Sequence, residues 1–196
     1  MVQIIAGSDT SSAVIRGTML HIMTTPHVYA RLKTEIRLAV EAGISSPITY
    51  AEALKIPYLQ AVISEGYRIR CPVLYGHYKS VPPQGDTICG YFVPGGTAIG
   101  HNSVALTHNE SVFGPDVDVF RPERFLECDE EKRLDMERAL DITFGGGRWM
   151  CAGKTTAKME LNKIFFEVSN WPWLYFVHLR TRSWCRASSK TAAARS

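Results

Sequence analysis

Cys151 closes a glycine-rich run, Phe144-Gly145-Gly146-Gly147-Arg148-Trp149-Met150-Cys151-Ala152-Gly153, and stands just before a stretch with helical spacing. In residues 154–168 the apolar side chains Ala157, Leu161, Ile164, Phe165 and Val168 recur every three or four positions, which predicts a helix beginning directly after the cysteine. The free N–H groups and dipole of such a terminus favour a thiolate over a thiol. Consecutive glycines let the backbone approach a bound group closely and aim N–H groups at the sulfur. A single thiolate so placed attacks an electrophile or ligates a metal; a buried, inert cysteine is the bland alternative, and it stays open from this stretch alone.

Two features favour ligation. No CxxC and no second Cys or His lies nearby, which argues against zinc. Gly153 leaves room for a flat body against the start of the helix, and a haem whose iron takes one axial thiolate fits that description. A cysteine-nucleophile enzyme is a further alternative, but the loop lacks a nearby basic partner.

The elements that must position this loop read as mostly α with a small β region. Residues 1–24 predict a helix whose apolar positions (Ile4, Ile5, Ala13, Val14, Leu20, Ile22, Met23) are dispersed, implying burial on several sides. Ala6-Gly7-Ser8-Asp9-Thr10 interrupts it. A mid-helix glycine costs about 1 kcal/mol against alanine, so it calls for a packing or ligand reason, and the hydroxyls can bond back to carbonyls. Pro26 stops that helix. Residues 27–42 predict a second, with Val28, Leu32, Ile36, Ala39 and Val40 on one face, solvated charges opposite, and Gly43 as cap. Thr49 and Glu52 have capping-box spacing. Residues 57–70 predict a helix on which Glu65 and Arg68 share a face; as an isolated pair they read as a surface ion pair of little worth.

Short apolar runs among prolines and glycines predict strands at 73–80, 87–89, 91–93 and 97–100. Residues 102–106 predict one helical turn, and the charged run 128–140 an exposed helix or a flexible insert. His21, His101 and His108 lack metal-ligand spacing with one another.

Composition bounds the answer further. A chain of 196 residues, 45% hydrophobic and 21% charged, can bury a sizeable core. A net charge of +3 does not itself imply nucleic acid. Five scattered cysteines, an odd number, argue against a disulfide framework and for a reducing compartment. No run of about 18 apolar residues exists to span a membrane, and the N-terminus lacks a signal-peptide layout.

The cysteine stretch resembles the haem loop of the cytochrome P-450 family of haem-thiolate monooxygenases. Phe144, Gly147, Cys151 and Gly153 match its pattern. The family's Arg or His two before the cysteine is Trp149 here; Arg148 sits one residue earlier, as in loops similar to those of filamentous-fungal members. Three more stretches follow in family order: Ala6–Thr10, Glu65–Arg68 and Pro122–Phe125.

The resemblance implies the C-terminal part of the cytochrome P-450 fold over residues 1–168. It implies haem b held by Cys151 as axial ligand, with Phe144, Arg148, Gly153, Gly7 and Lys79 around it. Gly7 would open a groove for O2, Asp9 and Thr10 would relay protons to it, and Lys79 and Arg148 are candidates for the haem propionates. Arg124 would dock on Glu65 and Arg68 as a structural network. Implied partners are a small organic substrate and a flavoprotein reductase passing electrons from NADPH, with Lys154, Lys158 and Lys163 as candidate contacts; nucleic acid is not expected. One oxygen atom of O2 would enter the substrate.

The family's chains are more than twice this long and carry an N-terminal anchor at the endoplasmic reticulum. The expectation for this chain is therefore a C-terminal portion, impaired as a monooxygenase, cytosolic or of unknown location. The alternative is a non-catalytic haem-binding or inert fragment. Residues 169–196 carry Arg180, Arg182, Arg186, Lys190 and Arg195 without an acid, and read as an atypical disordered tail, from an altered reading frame or unspliced intron, or as an arm for nucleic acid or an acidic partner.

Overall fold

A computed structural model describes residues 2–171; the basic stretch beyond, with Cys185, lies outside them. The fold is mostly helical with two small antiparallel sheets.

Helix α1 (Val2–Thr24) ends where Pro26 has no N–H to offer, and Pro26 opens α2 (Pro26–Glu41). The expectation of burial on several sides of α1 is corrected. Val14, Thr18 and Ile22, four residues apart, are the buried stripe, whereas Ile4, Ile5 and Leu20 are more than half exposed. On α2 the buried face is Val28, Tyr29, Leu32 and Ile36; Val40 is exposed. Two charges of α2 also depart from the solvated face expected of them. Lys33 donates to the carbonyls of Ser169, Asn170 and Trp171 at 2.8–3.3 Å. Glu35 accepts the Tyr58 N–H at 2.8 Å. Both satisfy helix-end groups that have no partner within their own helix.

The capping box forms at α3 (Tyr50–Ala53), with Thr49 and Glu52 each bonding the other's backbone N–H. Helix α4 (Pro57–Ile69) is the centre of the core. Tyr58, Leu59, Ala61, Val62, Glu65, Gly66, Tyr67 and Arg68 are all buried on it, and it packs against α1, α2 and the helices before and after the cysteine loop.

Strand β1 (Tyr75–Ser80) pairs with β4 (Ala98–Asn102), with a register shift between Gly76 and Lys79. Strands β2 (Asp86–Ile88) and β3 (Tyr91–Val93) form a separate hairpin. Asn102 caps α5 (Ser103–Thr107), accepting from the N–H groups of Val104 and Ala105. Helix α6 (Glu110–Phe113) and a 3-10 turn at Pro122–Phe125 follow.

Helix α7 (Glu130–Ile142) corrects the reading of 128–140. It is an ordered helix capped by Asp129, with Met136, Ala139 and Leu140 buried in the core beneath a charged outer face. Helix α8 (Lys154–Asn170) buries Leu161, Phe165 and Phe166, while Val168 is more than a third exposed. It reaches two residues beyond Val168.

Candidate functional site

The cysteine loop is a closed turn between α7 and α8. The Cys151 N–H donates to the Phe144 carbonyl at 2.8 Å, tying its two ends together. At its tip Gly147–Trp149 make a 3-10 turn. Gly145 and Gly147 have φ of 79° and 58°, a region that residues with a Cβ rarely adopt, and this is the physical need for glycine there. Cys151 emerges exposed, unlike Cys71, which is buried. Two bonds to the Cys151 and Gly153 carbonyls, from Lys154 N at 3.3 Å and Ala157 N at 2.8 Å, start α8 directly behind the thiol.

This geometry suits a ligand that brings its own equatorial donors. Among the described residues no group of three His, Cys, Asp or Glu stands ready to hold a bare ion, and the Cys151 thiol has no such companions. A Cβ added at Gly146 or Gly147 would meet no heavy atom within 4 Å, and one at Gly153 would meet the Cys151 Sγ at 3.9 Å. Gly153 thus keeps the flank of the sulfur clear. Trp149 and Met150, both more than half exposed, give the loop an apolar rim. A flat, mostly apolar macrocycle carrying a metal fits such a site.

Helix α1 runs unbroken through Ala6–Thr10. The Thr10 hydroxyl donates to the Ala6 carbonyl at 2.7 Å, and Ser12 Oγ to the Asp9 carbonyl at 3.1 Å. Gly7 has open space where a Cβ would be, and Asp9 is exposed. The Ser11 hydroxyl donates to Glu160 Oε2 at 3.3 Å, docking this part of α1 on α8, the helix that begins at the cysteine loop. Cys151, Phe144, Arg148 and Gly153 share the loop. The Arg148 guanidinium lies 5.0 Å from the Trp149 ring centroid, so the shifted arginine covers its neighbour. Lys79 is exposed on β1, opposite Ile99 on β4, and among the described residues no hydrogen bond or ion pair ties it to the loop or to α1.

The structure brings Glu65, Arg68 and Arg124 into one buried cluster. Arg68 holds Glu65 with two parallel bonds, Nε to Oε2 at 2.8 Å and Nη2 to Oε1 at 2.9 Å. Arg124 Nε reaches the same Oε2 at 3.0 Å, and the Arg121 N–H reaches Oε1 at 2.9 Å. Glu65 and Arg68 are 0% exposed, so the surface-pair reading is overturned. Asp116 supplies the second negative charge, accepting from Arg124 Nη1 at 2.9 Å and from Arg121 Nε. Those two guanidiniums hold its carboxyl down at about 2. Glu65 thus faces both buried guanidiniums, Asp116 faces that of Arg124, and the remaining N–H groups go to carbonyls of Thr107, Phe113, Asp116 and Val119.

Sequence reasoning missed several residues around the loop. Tyr67 stacks on Phe144, centroids 4.9 Å apart and planes at 8°, and its hydroxyl lies 2.8 Å from Thr143 Oγ1. Burial pushes the Tyr67 phenol up, so it stays protonated. Asp141 pairs with Lys154 at 3.0 Å and Lys158 at 3.4 Å. Lys154 and Lys158 thereby strap the end of α7 to the start of α8. Asp116 had a signal, a carboxylate five residues before Arg121. Tyr67 and Asp141 had none, because their partners are distant in sequence.

Residues 1–168 match the family model described as Cytochrome P450. The cytochrome P450 monooxygenase aba1 of Botryotinia fuckeliana is 51% identical over 166 residues, which are 84% of this chain and 33% of that protein. The cytochrome P450 monooxygenase ABA1 of Pyricularia oryzae is 49% identical over 170 residues, 86% of this chain and 33% of the relative. The cytochrome P450 monooxygenase abl1 of Leptosphaeria maculans is 48% identical over 165 residues, 84% and 29%. The chain spans about a third of the length of the curated relatives it matches.

Proposed function

The chain belongs to the cytochrome P450 family, and from that premise we propose that it carries the thiolate ligand and the oxygen-side helix of a haem-dependent monooxygenase. The observation that supports this most is the exposed Cys151 thiol at the mouth of a closed glycine loop, with α8 starting behind it.

Cys151 would hold the haem iron as a thiolate, its charge stabilised by the start of α8. Phe144 and Gly147 shape the loop, Gly153 keeps the sulfur's flank clear, and Arg148 and Lys79 are the cations offered to the propionates. Haem bound there supplies the redox-active iron at which O2 is reduced and one oxygen atom is delivered to an organic substrate.

The chain's own part on the oxygen side is proton handling. The Thr10 hydroxyl donates its hydrogen bond to the Ala6 carbonyl, so the lone pairs of Oγ1 would accept one from a proton carrier beside the open space at Gly7. Asp9, exposed one residue earlier, takes protons from solvent and passes them toward Thr10. Substrate would lie along Ile5–Ser8 and Val73–Gly76. Electrons would come from NADPH through a flavoprotein reductase.

A second reading concerns the 196-residue polypeptide by itself. Ile4 is 75% exposed and Ile5 54%, so in isolation the oxygen side of α1 is open to water. Water there favours unproductive loss of electrons and protons over oxidation of substrate. The isolated polypeptide would then bind haem with weak turnover, or not bind it.

The deciding experiment is the optical spectrum of the purified chain with haem, reduced under carbon monoxide, beside Cys151→Ala. A strongly red-shifted Soret band that the variant lacks is the expected result. A band shared by the variant, or no haem uptake, overturns the haem-thiolate reading for this polypeptide. NADPH-dependent turnover with a reductase then separates an active chain from a haem-binding one.

A further inference from the structure

We propose that Tyr67 is a positioning residue for the thiolate ligand: by ring and hydroxyl together it couples the buried ion cluster on α4 to the cysteine loop. The haem part of this inference rests on the function proposed above; the positioning part stands on the haem-free chain.

Tyr67 lies between Gly66 and Arg68, two residues from Glu65, on the turn of α4 that the ion cluster fixes. Its backbone therefore has little freedom. Its side chain leaves the cluster and reaches the loop at two adjacent points. The ring lies parallel to that of Phe144, whose carbonyl accepts the Cys151 N–H at 2.8 Å. The hydroxyl meets Thr143 Oγ1 at 2.8 Å. Thr143 Oγ1 itself donates to the Leu140 carbonyl at 2.5 Å, so its one proton is spent and the Tyr67 phenol must be the donor between them. Tyr67 and Thr143 are 7% and 2% exposed, so water does not compete for that bond.

The loop is gripped from a second direction. The Lys154 ammonium lies 5.7 Å from the Phe144 ring centroid while paired with Asp141. Phe144 is thus the point where α4, α7 and α8 meet, and Cys151 is one backbone hydrogen bond away. Asp141–Lys154 straps the base of the loop. Tyr67 connects it to the turn of α4 that carries the ion cluster, which gives the cluster a route to the sulfur's position. Among the described residues the cluster itself makes no hydrogen bond to the loop, and Tyr67, next to it on α4, reaches the loop base directly.

The test compares Tyr67→Phe, Tyr67→Leu and Thr143→Val with the natural chain by two readouts. The first is hydrogen exchange of the haem-free chain, read on peptides covering Phe144–Cys151 and, as control, α2 and α4. Removing the hydroxyl bond in Tyr67→Phe or Thr143→Val is expected to speed exchange at the Cys151 amide about threefold to tenfold. Tyr67→Leu, which also removes the ring pair, is expected to add roughly another threefold to tenfold. Protection of α2 and α4 should stay near that of the natural chain. The second readout is the carbon monoxide spectrum of the haem-loaded chain. The share of the red-shifted thiolate band is expected to fall in the order natural chain, Tyr67→Phe, Tyr67→Leu, with Thr143→Val matching Tyr67→Phe.

Unchanged exchange at Cys151 in Tyr67→Phe and Thr143→Val overturns the proposal. So does a uniform rise across α2, α4 and the loop, because that reports lost stability rather than positioning. If the natural chain shows no thiolate band while exchange responds as expected, positioning is supported and only the haem reading fails.

Discussion

Gly66 packs its bare α-carbon against Thr18: a Cβ built on it would lie 2.7 Å from Thr18 Cβ and overlap the rest of that side chain. This contact sets how closely α1 crosses α4, and so how α1 sits beside the ion cluster. Thr18 is fully buried, so neither helix can yield cheaply. Gly66→Ala is expected to destabilise by at least the ~1–3 kcal/mol typical of overpacking, read as a lowered midpoint in urea with an unchanged slope. Adding Thr18→Gly removes the obstructing Cβ and should recover part of the loss. Purely additive effects would show that the two residues do not compete for the same space.

Glu65 is the carboxylate on which two guanidiniums converge without solvent, and Glu65→Gln leaves both without their shared charge. Breaking a buried pair from one side costs about 3–5 kcal/mol. The expectation is loss of a third or more of the roughly 5–15 kcal/mol of an ordinary domain, visible as a large drop in melting temperature. An exposed pair such as Arg138–Asp135, removed by Asp135→Asn, serves as control and should change it by less than about 1 kcal/mol.

Much of this arrangement is legible in the chain itself. Helix ends follow Pro26, Pro57 and the Thr49–Glu52 box, because a missing N–H or a capping oxygen acts within a few residues. The resemblance, rather than spacing, foretold that Arg124 would meet Glu65. What stayed hidden depends on distant pairing. The lysines of α8 look solvated until Asp141, thirteen residues before Lys154, is seen folded back beside them. Residues 128–140 look like an exposed insert because the residues that meet the core, Met136, Ala139 and Leu140 with Cys128 packed against it, are too few to outweigh their charged neighbours in a pattern. The apolar scatter of α1 suggested burial all round, yet Ile4 and Ile5 are exposed, and hydropathy alone does not say which apolar residues find a partner.

Acid should reveal the Asp116 contacts. Its carboxyl titrates at about 2 in the folded chain, against 3.8 ordinarily, chiefly because Arg121 and then Arg124 bond its charged form. The folded value is the lower one, so the stabilisation is fully present above 3.8 and is lost as pH falls from there toward about 2. Asp116→Asn should therefore flatten the acid limb of the stability curve in that window and lower stability at neutral pH. An acid limb as steep as that of the natural chain would mean other carboxylates carry it.

His21 predicts a second pH dependence, nearer neutrality. Its ring stacks on Phe120 with centroids 4.9 Å apart and planes at 13°. Burial, and then the nearby positive charges of Arg70 and Arg68, disfavour the protonated ring; Glu65 pulls the other way and does not prevail. The folded value therefore lies below the ordinary 6.5, and folding favours the neutral imidazole. The contribution is complete above 6.5 and declines as pH falls through the depressed folded value, because the unfolded chain takes up the proton first. The natural chain is expected to lose melting temperature as pH falls from 6.5 toward about 5, where histidine is the side chain that ordinarily titrates. His21→Phe keeps a flat ring against Phe120 and removes the titration, so its melting temperature should vary less over that interval. An equal decline in both chains would assign the effect to another group; His27, exposed on α2, is the control to replace next.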